Sequence, residues 1–453
     1  MSKLKLCFTK HKESDQELIF LSWPIFIELF LRVFIGNINV WMISQYSESA
    51  VAAVGASNQL LNLSVFIYGF ITVGAQIIIA QLIGAQKHHK IKEVITTALI
   101  GSFVLGLIIS FVFICLPEQL LFFMNLPTNI VEIGVPYIQI YGASLFITSI
   151  SAAIVAVLRS HGKTKAALII PTIAIIFAVI GNYVALYGPM GLPHLGVKGL
   201  AISTVVSNFI ALLIAFIILN RVIGFNVLKL RIKNASVPML RQILTYGLPS
   251  SGENLSYTAS QVVVTMIVAS LGENMLIAKS YVTAITQFVY LIAASLSQGN
   301  QIIIGRNIGA KAYNRAYVRG KRTVQIAMIC TALISISTWI AIEPIMHIFT
   351  YNQEVIAIAK IIFLVDIFLE LGRTVNMVMV GSLNATGDVK FPLIISLIVL
   401  WLISLPFSYV LAIPLKMGLV GVWLAYSIDE GLRAIMLLKR WKSGIWRTKS
   451  KIN

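Results

Sequence analysis

Acids and arginines deep inside hydrophobic stretches are the residues of this sequence best placed to do chemistry. A charge at the centre of a lipid bilayer costs roughly 2.5–3.5 kcal/mol on insertion scales, so each needs a counter-ion, a water-filled cavity or a function. A carboxylate there can bind a cation reversibly, because a proton or metal ion can replace an arginine as its counter-ion. The deep acids are Glu28, Glu253, Asp366, Glu370, Asp429 and Glu430, and the deep arginines are Arg32, Arg373 and Arg433.

Sequence spacing predicts a partner for each deep arginine on its own helix. Residues three or four positions apart share a helix face, so a carboxylate and an arginine at this spacing can pair. The predicted pairs are Glu28 with Arg32, Asp429 with Arg433, and Glu370 with Arg373. Glu253, Asp366 and Glu430 then lack a local base, and a bound cation can take its place there. The alternative is that all these groups bond to neighbouring helices and only hold the bundle together.

Composition indicates which elements must position these groups. Of 453 residues, 58% are hydrophobic and 11% are charged, whereas about a quarter of the residues of a soluble domain are charged. About 20 apolar residues cross a bilayer as a helix. The sequence therefore predicts an all-α polytopic membrane protein with about 12 transmembrane helices. The predicted spans are 18–43, 50–84, 94–115, 131–158, 166–188, 199–220, 243–270, 275–305, 323–342, 354–383, 390–413 and 419–438.

The net charge of +18 would suggest a nucleic-acid partner if the basic residues shared one soluble face. Instead, 28 of the 35 lysines and arginines fall in the terminal segments and in every second connection between spans. This positive-inside pattern predicts that both termini and the even-numbered connections are cytoplasmic. We therefore expect a multi-pass protein of the cell membrane whose partner is the lipid bilayer, not nucleic acid.

Nothing in the sequence predicts a cofactor, a metal site or an enzyme. Cys7, Cys115 and Cys330 are far apart, and the histidines lack the spacing of metal ligands. The sequence also contains no phosphate-binding loop and no extended polar domain.

The sequence repeats itself with an offset of 225 residues. The shift aligns GAQIIIAQLIGA at Gly74 with GNQIIIGRNIGA at Gly299, LRSHGKTKAALII at Leu158 with LNATGDVKFPLII at Leu383, and Pro24 and Glu28 with Pro249 and Glu253. Each copy contains six helices, and because six is even the two repeats should be parallel, with a cleft that opens to either side in turn. The predicted segments are a cytoplasmic tail 1–17, an N-terminal lobe 18–220, a cytoplasmic linker 221–242, a C-terminal lobe 243–438 and a basic cytoplasmic tail 439–453.

The tenth predicted helix carries a charge stripe that its repeat partner lacks. Asp366, Glu370, Arg373 and Met377 follow one another along a single helix face. The first three of these positions correspond in the first half to Tyr141, Leu145 and Thr148. A purely architectural role would not require this difference between the halves.

In their order and spacing, several segments resemble the multidrug and toxic compound extrusion (MATE) family. They are the two P-x-x-x-E starts, AVAAVGASNQ after the first span, GAQIIIAQLIGA, DIFLELGRTVNMVMVGSLNATGDVKFPLIIS from Asp366 and GLVGVWLAYSIDEGLRA from Gly418. The resemblance covers about Leu18 to Trp441. It implies an antiporter that expels drugs, toxic compounds or metabolites in exchange for protons or sodium ions.

The ion-binding residues that the resemblance implies are not present intact. The first-helix aspartate of one branch corresponds to Asn39, and the seventh-helix glutamate and tenth-helix aspartate of the sodium-coupled branch correspond to Tyr257 and Arg373. Asn39 cannot carry a proton, but it can line a cavity or bond to a neighbouring helix. The remaining carboxyls favour a proton as coupling ion, and sodium stays open. The expected ion or substrate residues are Glu253, Asp366, Glu370, Arg373, Asn39 and Tyr257.

Two other functions fit parts of the sequence. A lipid-linked oligosaccharide flippase would share the general fold, but such proteins commonly have extra helices and a more cationic cavity, whereas the deep charges here are net acidic. A membrane-embedded transferase would need a histidine and carboxylate cluster near a membrane face, which we do not find. The surplus of acids favours lipophilic cations as substrates, through charge and cation–π contact.

Overall fold

The computed structural model describes residues 2–124, 126–188, 194–227 and 234–450, with side chains from residue 14 onward. The rest of the predicted tails and linker, including residues 228–233, lies outside the described residues. The described residues form helices and connections, without strands. The helices are α1 Ser2–Tyr46, α2 Glu48–Gly84, α3 His88–Cys115, α4 Pro117–Phe122, α5 Thr128–Ala143, α6 Leu145–Ser160, α7 Thr164–Tyr187, α8 Gly196–Ile223, α9 Val237–Ala269, α10 Glu273–Gly309, α11 Tyr313–Ile340, α12 Ile342–Met346, α13 Gln353–Thr386, α14 Lys390–Val399, α15 Leu405–Ala412 and α16 Gly418–Ser443.

Long apolar helices dominate the fold, as the sequence predicts. Among the described residues, eight helices are long and apolar enough to cross a membrane, or nine if the bent pair α5 and α6 counts as one span. Helices α9, α13 and α16 are long but do not belong to this group. They carry five of the six deep acids, which lowers their hydropathy. The all-helical prediction is confirmed.

Two predicted spans are interrupted, each for a local reason. Span 131–158 bends by 48° between α5 and α6, where the hydroxyl of Ser144 donates to the carbonyl of Tyr141 at 2.8 Å and competes with the helix ladder. Span 390–413 contains a π-helical turn, Leu400–Ser404, between α14 and α15. Pro406 follows two residues later and has no N–H, so the wide turn relieves its clash with the preceding backbone.

The chain forms two compact units whose boundaries fall inside helices. The N-terminal unit is Ile27–Ser251, and the C-terminal unit is Met1–Phe26 with Gly252–Asn453. Each boundary lies two residues after the proline of a P-x-x-x-E start, Pro24 in α1 or Pro249 in α9. The units therefore divide the chain differently from the predicted lobes, since residues 18–26 and 243–251 belong to the opposite unit.

Close helix contacts explain why the segment before each proline changes unit. In the N-terminal unit a Cβ on Gly74 of α2 would overlap the carbonyl oxygen of Ile243 in α9. In the C-terminal unit the repeat-equivalent glycine, Gly299 of α10, lies equally close to Ser22 of α1. Leu18 also joins the hydrophobic core of the C-terminal unit. Close contact at these glycines, with backbone at Gly74 and with the Ser22 side chain at Gly299, thus packs the first part of α9 on α2 and the first half of α1 on α10.

Ion pairs of Asp15 and Glu17 add to the packing of α1 in the C-terminal unit. Asp15 lies 2.8 Å from Arg319 and 2.5 Å from Arg322 of α11. Glu17 lies 3.6 Å from Arg306 of α10. Residues 14–17, which we expected in a tail, are therefore part of α1 and packed.

Candidate functional site

The acid-rich part of the C-terminal unit is built where α13 and α16 cross closely. Gly372 of α13 permits this, because a Cβ there would come within 3.1 Å of the backbone of Glu430. Each helix then inserts its polar side chains beside the other. The buried acids at the crossing are Asp366, Glu370, Asp429 and Glu430.

Two arginines join these acids into a network. Arg373 pairs with Glu370 and lies 3.6 Å from Glu430. Arg433 pairs with Asp429 at 2.8 Å and with Glu430 at 2.9 Å. The two predicted pairs on these helices are confirmed. The prediction that Glu430 lacks a base is wrong, because packing of α13 on α16 brings Arg373 across and Arg433 is three residues away on the same helix.

Glu253 and Asp366 meet neutral hydrogen-bond donors instead. The hydroxyl of Ser396 in α14 donates to Glu253 at 2.7 Å, and Glu253 is partly buried. The indole N–H of Trp423 in α16 donates to buried Asp366 at 3.0 Å. Within the described part of the chain, neither acid has an ion pair with a lysine or arginine. The structure thus agrees with the prediction that these two acids lack a base.

One further acceptor in the network has no protein donor. Glu370 is fully buried and its Oε1 faces Arg373, but its Oε2 has no hydrogen-bond partner among the described residues. A buried acceptor without a donor is costly, so such an atom is a natural place for a proton or another cation.

Aromatic side chains surround these acids. Tyr257 of α9 lies within electrostatic range of Arg373 and Glu430. Tyr426 donates its hydroxyl to Gln261 at 2.9 Å and meets Trp423 edge to face, with ring centres 5.8 Å apart. The structure therefore places Tyr257, one of the expected ion or substrate residues, within electrostatic range of Glu370 and Glu430.

A different charge cluster lies in the N-terminal unit. Glu28 of α1 is buried and pairs with Arg32 at 3.3 Å, which confirms the predicted pair. It also pairs with Arg159 of α6 at 2.5 Å. Asn39 accepts a hydrogen bond of 3.2 Å from Asn182 of α7, so it makes the interhelical contact that we considered as one of its two roles.

Sequence reasoning missed several partners because their signals were weak or misleading. Arg159 lies just beyond the predicted span 131–158, but it belongs to the last turn of α6 with 14% of its side chain exposed. Ser396 and Trp423 carry no charge, so only the structure pairs them with the acids. Asn376 donates to the carbonyl of Glu430 at 3.0 Å, and no pattern in the sequence indicates this contact.

Comparison with known proteins gives the family. A sequence model of the MatE family matches residues 24–184 and again 249–410, so the two matches begin one repeat apart. The "Uncharacterized transporter YisQ" of Bacillus subtilis is 37% identical over 437 residues, 96% of each chain. The "Probable multidrug resistance protein NorM" of Thermotoga maritima is 25% identical and covers 97% of this chain and 94% of its own.

Solved structures show the same fold. The MATE transporter VcmN of Vibrio cholerae matches 96% of this chain and 98% of its own with a TM-score of 0.88, at 18% identity. Helices apolar and long enough to cross a membrane, together with these relatives, define a multi-pass membrane transporter. The chain belongs to the multidrug and toxic compound extrusion (MATE) family.

Proposed function

We propose that this protein exports small organic molecules across the cell membrane in exchange for protons or sodium ions, by alternating access. One observation carries the proposal. Among the described residues of the C-terminal unit, Glu253 and Asp366 accept hydrogen bonds from neutral donors and form no ion pair, with Arg433 and Arg373 only within electrostatic range. Glu370 keeps an acceptor without a donor. A membrane-embedded carboxylate without a basic partner needs a cation to balance its charge. A cation that binds there reversibly can act as the coupling ion.

The acids divide into two roles in this proposal. Asp429 and Glu430 are held by Arg433, so they fix the crossing of α13 and α16. Glu253 and Asp366 alternate between a cation-bound and a substrate-associated state, because neither is committed to an arginine. Glu370 stays beside Arg373 and offers its second oxygen to the cation.

A proton is the coupling ion that these contacts favour. Trp423 and Ser396 occupy acceptor positions on Asp366 and Glu253 as hydrogen-bond donors, and an indole N–H cannot ligate a metal cation. A carboxyl that already accepts such a bond can still take a proton on its other oxygen. Sodium would need several oxygen ligands on the same ion.

Lipophilic cations fit the acid surplus of the C-terminal unit as substrates. Trp423, Tyr426 and Tyr257 place aromatic rings beside the acids, and an organic cation is attracted by both. We further propose that both termini are cytoplasmic. The bilayer is the expected partner, and transport without chemical conversion is the expected activity.

The test uses the purified full chain in lipid vesicles with an imposed proton or sodium gradient and a cationic dye. We expect dye movement to follow the proton gradient and to stop when that gradient is collapsed. Glu343→Gln is the control for the loss of a carboxylate outside the site, because Glu343 lies in short α12 and pairs with Lys360 at an exposed position. Dye movement that ignores both gradients contradicts the proposal, and movement of lipid-linked sugars instead would favour the flippase.

A further inference from the structure

The C-terminal unit has a cationic surface where α11 begins and α16 ends. Segments 309–325 and 434–450 contain no acid. The more buried arginines of these segments pair with Asp15 or Asp388. The exposed lysines and arginines form no ion pair within the described part of the chain, and together they make up the cationic surface: Lys311, Arg315, Lys321, Lys439, Lys442, Arg447 and Lys449.

Aromatic packing joins the two segments into one fixed surface. Trp446, just beyond the end of α16, is completely buried and stacks on Trp441 with ring centres 4.4 Å apart. Trp441 in turn stacks on Tyr317 of α11 and donates its indole N–H to the Tyr317 carbonyl at 3.3 Å. Arg447 lies over the Trp446 ring and donates to Asn314 of α11 at 3.4 Å. The cations that follow α16 therefore stand on a packed element, not on a free tail.

The cationic surface lies at the level expected for lipid headgroups. The apolar part of α11 is the predicted span 323–342, so residues 313–322 extend about 15 Å beyond it. The apolar span of α16 ends at residue 438, and the cations from Lys439 onward follow directly. Headgroups begin where the hydrocarbon core, about 30 Å thick, ends. Both segments thus leave the hydrocarbon together, as their contacts through Tyr317 and Trp441 require.

Exposed apolar side chains accompany these cations. Arg315, Val318 and Lys321 are three residues apart, so they follow one another along one side of α11. Val318 is 44% exposed, and Ile445, beside the end of α16, is 46% exposed. A soluble anion would leave both apolar side chains in water. A phospholipid offers a phosphate to the cations and acyl chains to Val318 and Ile445.

The N-terminal unit lacks this combination. A shift of 225 residues aligns the start of α11 with the start of α3. There Glu93 replaces Val318 and accepts a hydrogen bond from Ser236 at 2.6 Å. Thr96 replaces Lys321. The same helical scaffold therefore forms without the cationic surface, and an acid stands where a phosphate would be repelled.

We infer that the cationic surface binds the phosphate of an anionic phospholipid, with Arg315 and Arg447 as its main ligands. Arg447 contacts Asn314, the residue before Arg315, so the two guanidinium groups start from neighbouring points. Guanidinium N–H donors match phosphate oxygens in pairs. The bound lipid would tie the start of α11 to the end of α16. In the proposed orientation it belongs to the cytoplasmic leaflet, whose anionic lipids attract such cations.

Short-chain lipids test the inference with the purified full chain in detergent. Its melting temperature is titrated with dioctanoyl phosphatidylglycerol, which is anionic, and with dioctanoyl phosphatidylcholine, which has no net charge. A ligand that binds the folded state raises the melting temperature, so we expect a saturable rise with phosphatidylglycerol alone. In the double variant Arg315→Gln, Arg447→Gln the half-saturating concentration should increase about tenfold.

The matched control removes two cations from the equivalent end of the N-terminal unit. Lys90 and Lys92 of α3 are exposed, and the double variant Lys90→Gln, Lys92→Gln should change the half-saturating concentration less than about twofold. Equal responses to the two lipids, or an equal loss in the two double variants, overturn the inference. Sodium phosphate is the third arm. If it raises the melting temperature as much as phosphatidylglycerol at the same concentration, the surface binds a free anion and the lipid assignment is wrong.

Trp446→Ala separates a built site from diffuse positive charge. The variant keeps every cation but removes the ring that holds the short 3-10 helix Ile445–Thr448 against α16. We expect the half-saturating concentration of phosphatidylglycerol to increase at least about fivefold, because the cations lose their fixed arrangement. Each variant is compared with its own lipid-free melting temperature, so lower stability is not read as weaker binding. An unchanged half-saturating concentration overturns the site. None of these measurements involves transport, so failure of the proposed export leaves them intact.

Discussion

At the scale of single residues, the acids of the C-terminal unit differ in the donors that face them. Asp429 and Glu430 face Arg433, whereas Asp366 faces an indole N–H and Glu253 a hydroxyl. A carboxylate with a neutral donor keeps its hydrogen bond when it takes a proton on its other oxygen. A carboxylate in a buried ion pair loses its counter-charge interaction instead.

Amide substitutions should therefore separate folding from coupling at Glu253 and Asp366. Glu253→Gln and Asp366→Asn keep an oxygen that accepts from Ser396 and Trp423, so melting temperature and expression should stay near those of the native protein. Dye transport driven by the proton gradient should be lost in both variants, while dye binding persists in at least one. Transport at the native rate with an unchanged pH profile would show that both acids are structural.

Arg373 should behave in the opposite way. Its removal leaves the fully buried Glu370 without its counter-ion, while Glu430 keeps Arg433. Breaking a buried pair costs about 3–5 kcal/mol, so Arg373→Gln should lower the melting temperature strongly. Lys360→Gln, which breaks an exposed pair with Glu343, should leave it unchanged.

A double variant shows whether the Arg373 effect comes from the stranded acid. Glu370→Gln in the Arg373→Gln background removes the unpaired charge and should recover much of the lost melting temperature. A double variant no more stable than Arg373→Gln alone would mean that Arg373 acts through packing rather than through Glu370.

At the scale of helices, hydropathy predicted where the chain crosses the membrane but not where each helix ends or packs. Span 50–84 became α2, Glu48–Gly84, nearly unchanged. Span 18–43 became the longer α1, Ser2–Tyr46, because hydropathy does not report polar helical turns. The bend at Ser144 depends on a side-chain hydrogen bond, which no apolar pattern encodes.

The sequence also did not predict which helices pack against each other. The sequence indicates that residues 243–251 are apolar and helical, but not that they pack on α2. That choice depends on Gly74 and Gly247, where the backbones of α2 and α9 touch. Among many glycines, periodicity does not mark those that meet another backbone.

The contact between α2 and α9 gives a prediction about glycine. A Cβ on Gly74 or Gly247 would overlap backbone atoms of the opposing helix, so Gly74→Ala and Gly247→Ala should destabilise the protein by about 1–3 kcal/mol. Gly55→Ala, also in α2, has open space around it and should be neutral or slightly stabilising. Thermal melting of the three variants is the measurement, and an equal effect at Gly55 and Gly74 would contradict the packing argument.

At the scale of the whole molecule, the internal repeat was the most informative signal in the sequence. The 225-residue offset predicted the duplication, and the family model matches once in each copy, from Pro24 and from Pro249. The repeat did not predict the neutral donors that face Glu253 and Asp366, or the pairing of Arg159 with Glu28. These contacts join different helices, and an alignment of one half on the other does not contain them.

Topology is the last property that the sequence predicts for the whole chain. Lys163 joins α6 to α7 and Lys416 joins α15 to α16, and both are exposed. Between them the chain runs through seven long elements, which are α7, α8, α9, α10, α11, α13 and α14 with α15. We expect each to cross the membrane once, and seven crossings would put the two lysines on opposite sides. The positive-inside pattern then assigns Lys163 to the cytoplasm and Lys416 to the outside.

Cysteine labelling of intact cells checks this assignment. In a background without native cysteines, Lys416→Cys should react with an impermeant thiol reagent added outside, and Lys163→Cys should react only after permeabilisation. Both positions are exposed, so a difference in reaction reports the side of the membrane rather than burial. Labelling of both from outside would contradict the odd number of crossings. The reverse pattern would keep the fold but invert its orientation. The basic loops would then lie outside the cell, which contradicts the positive-inside rule.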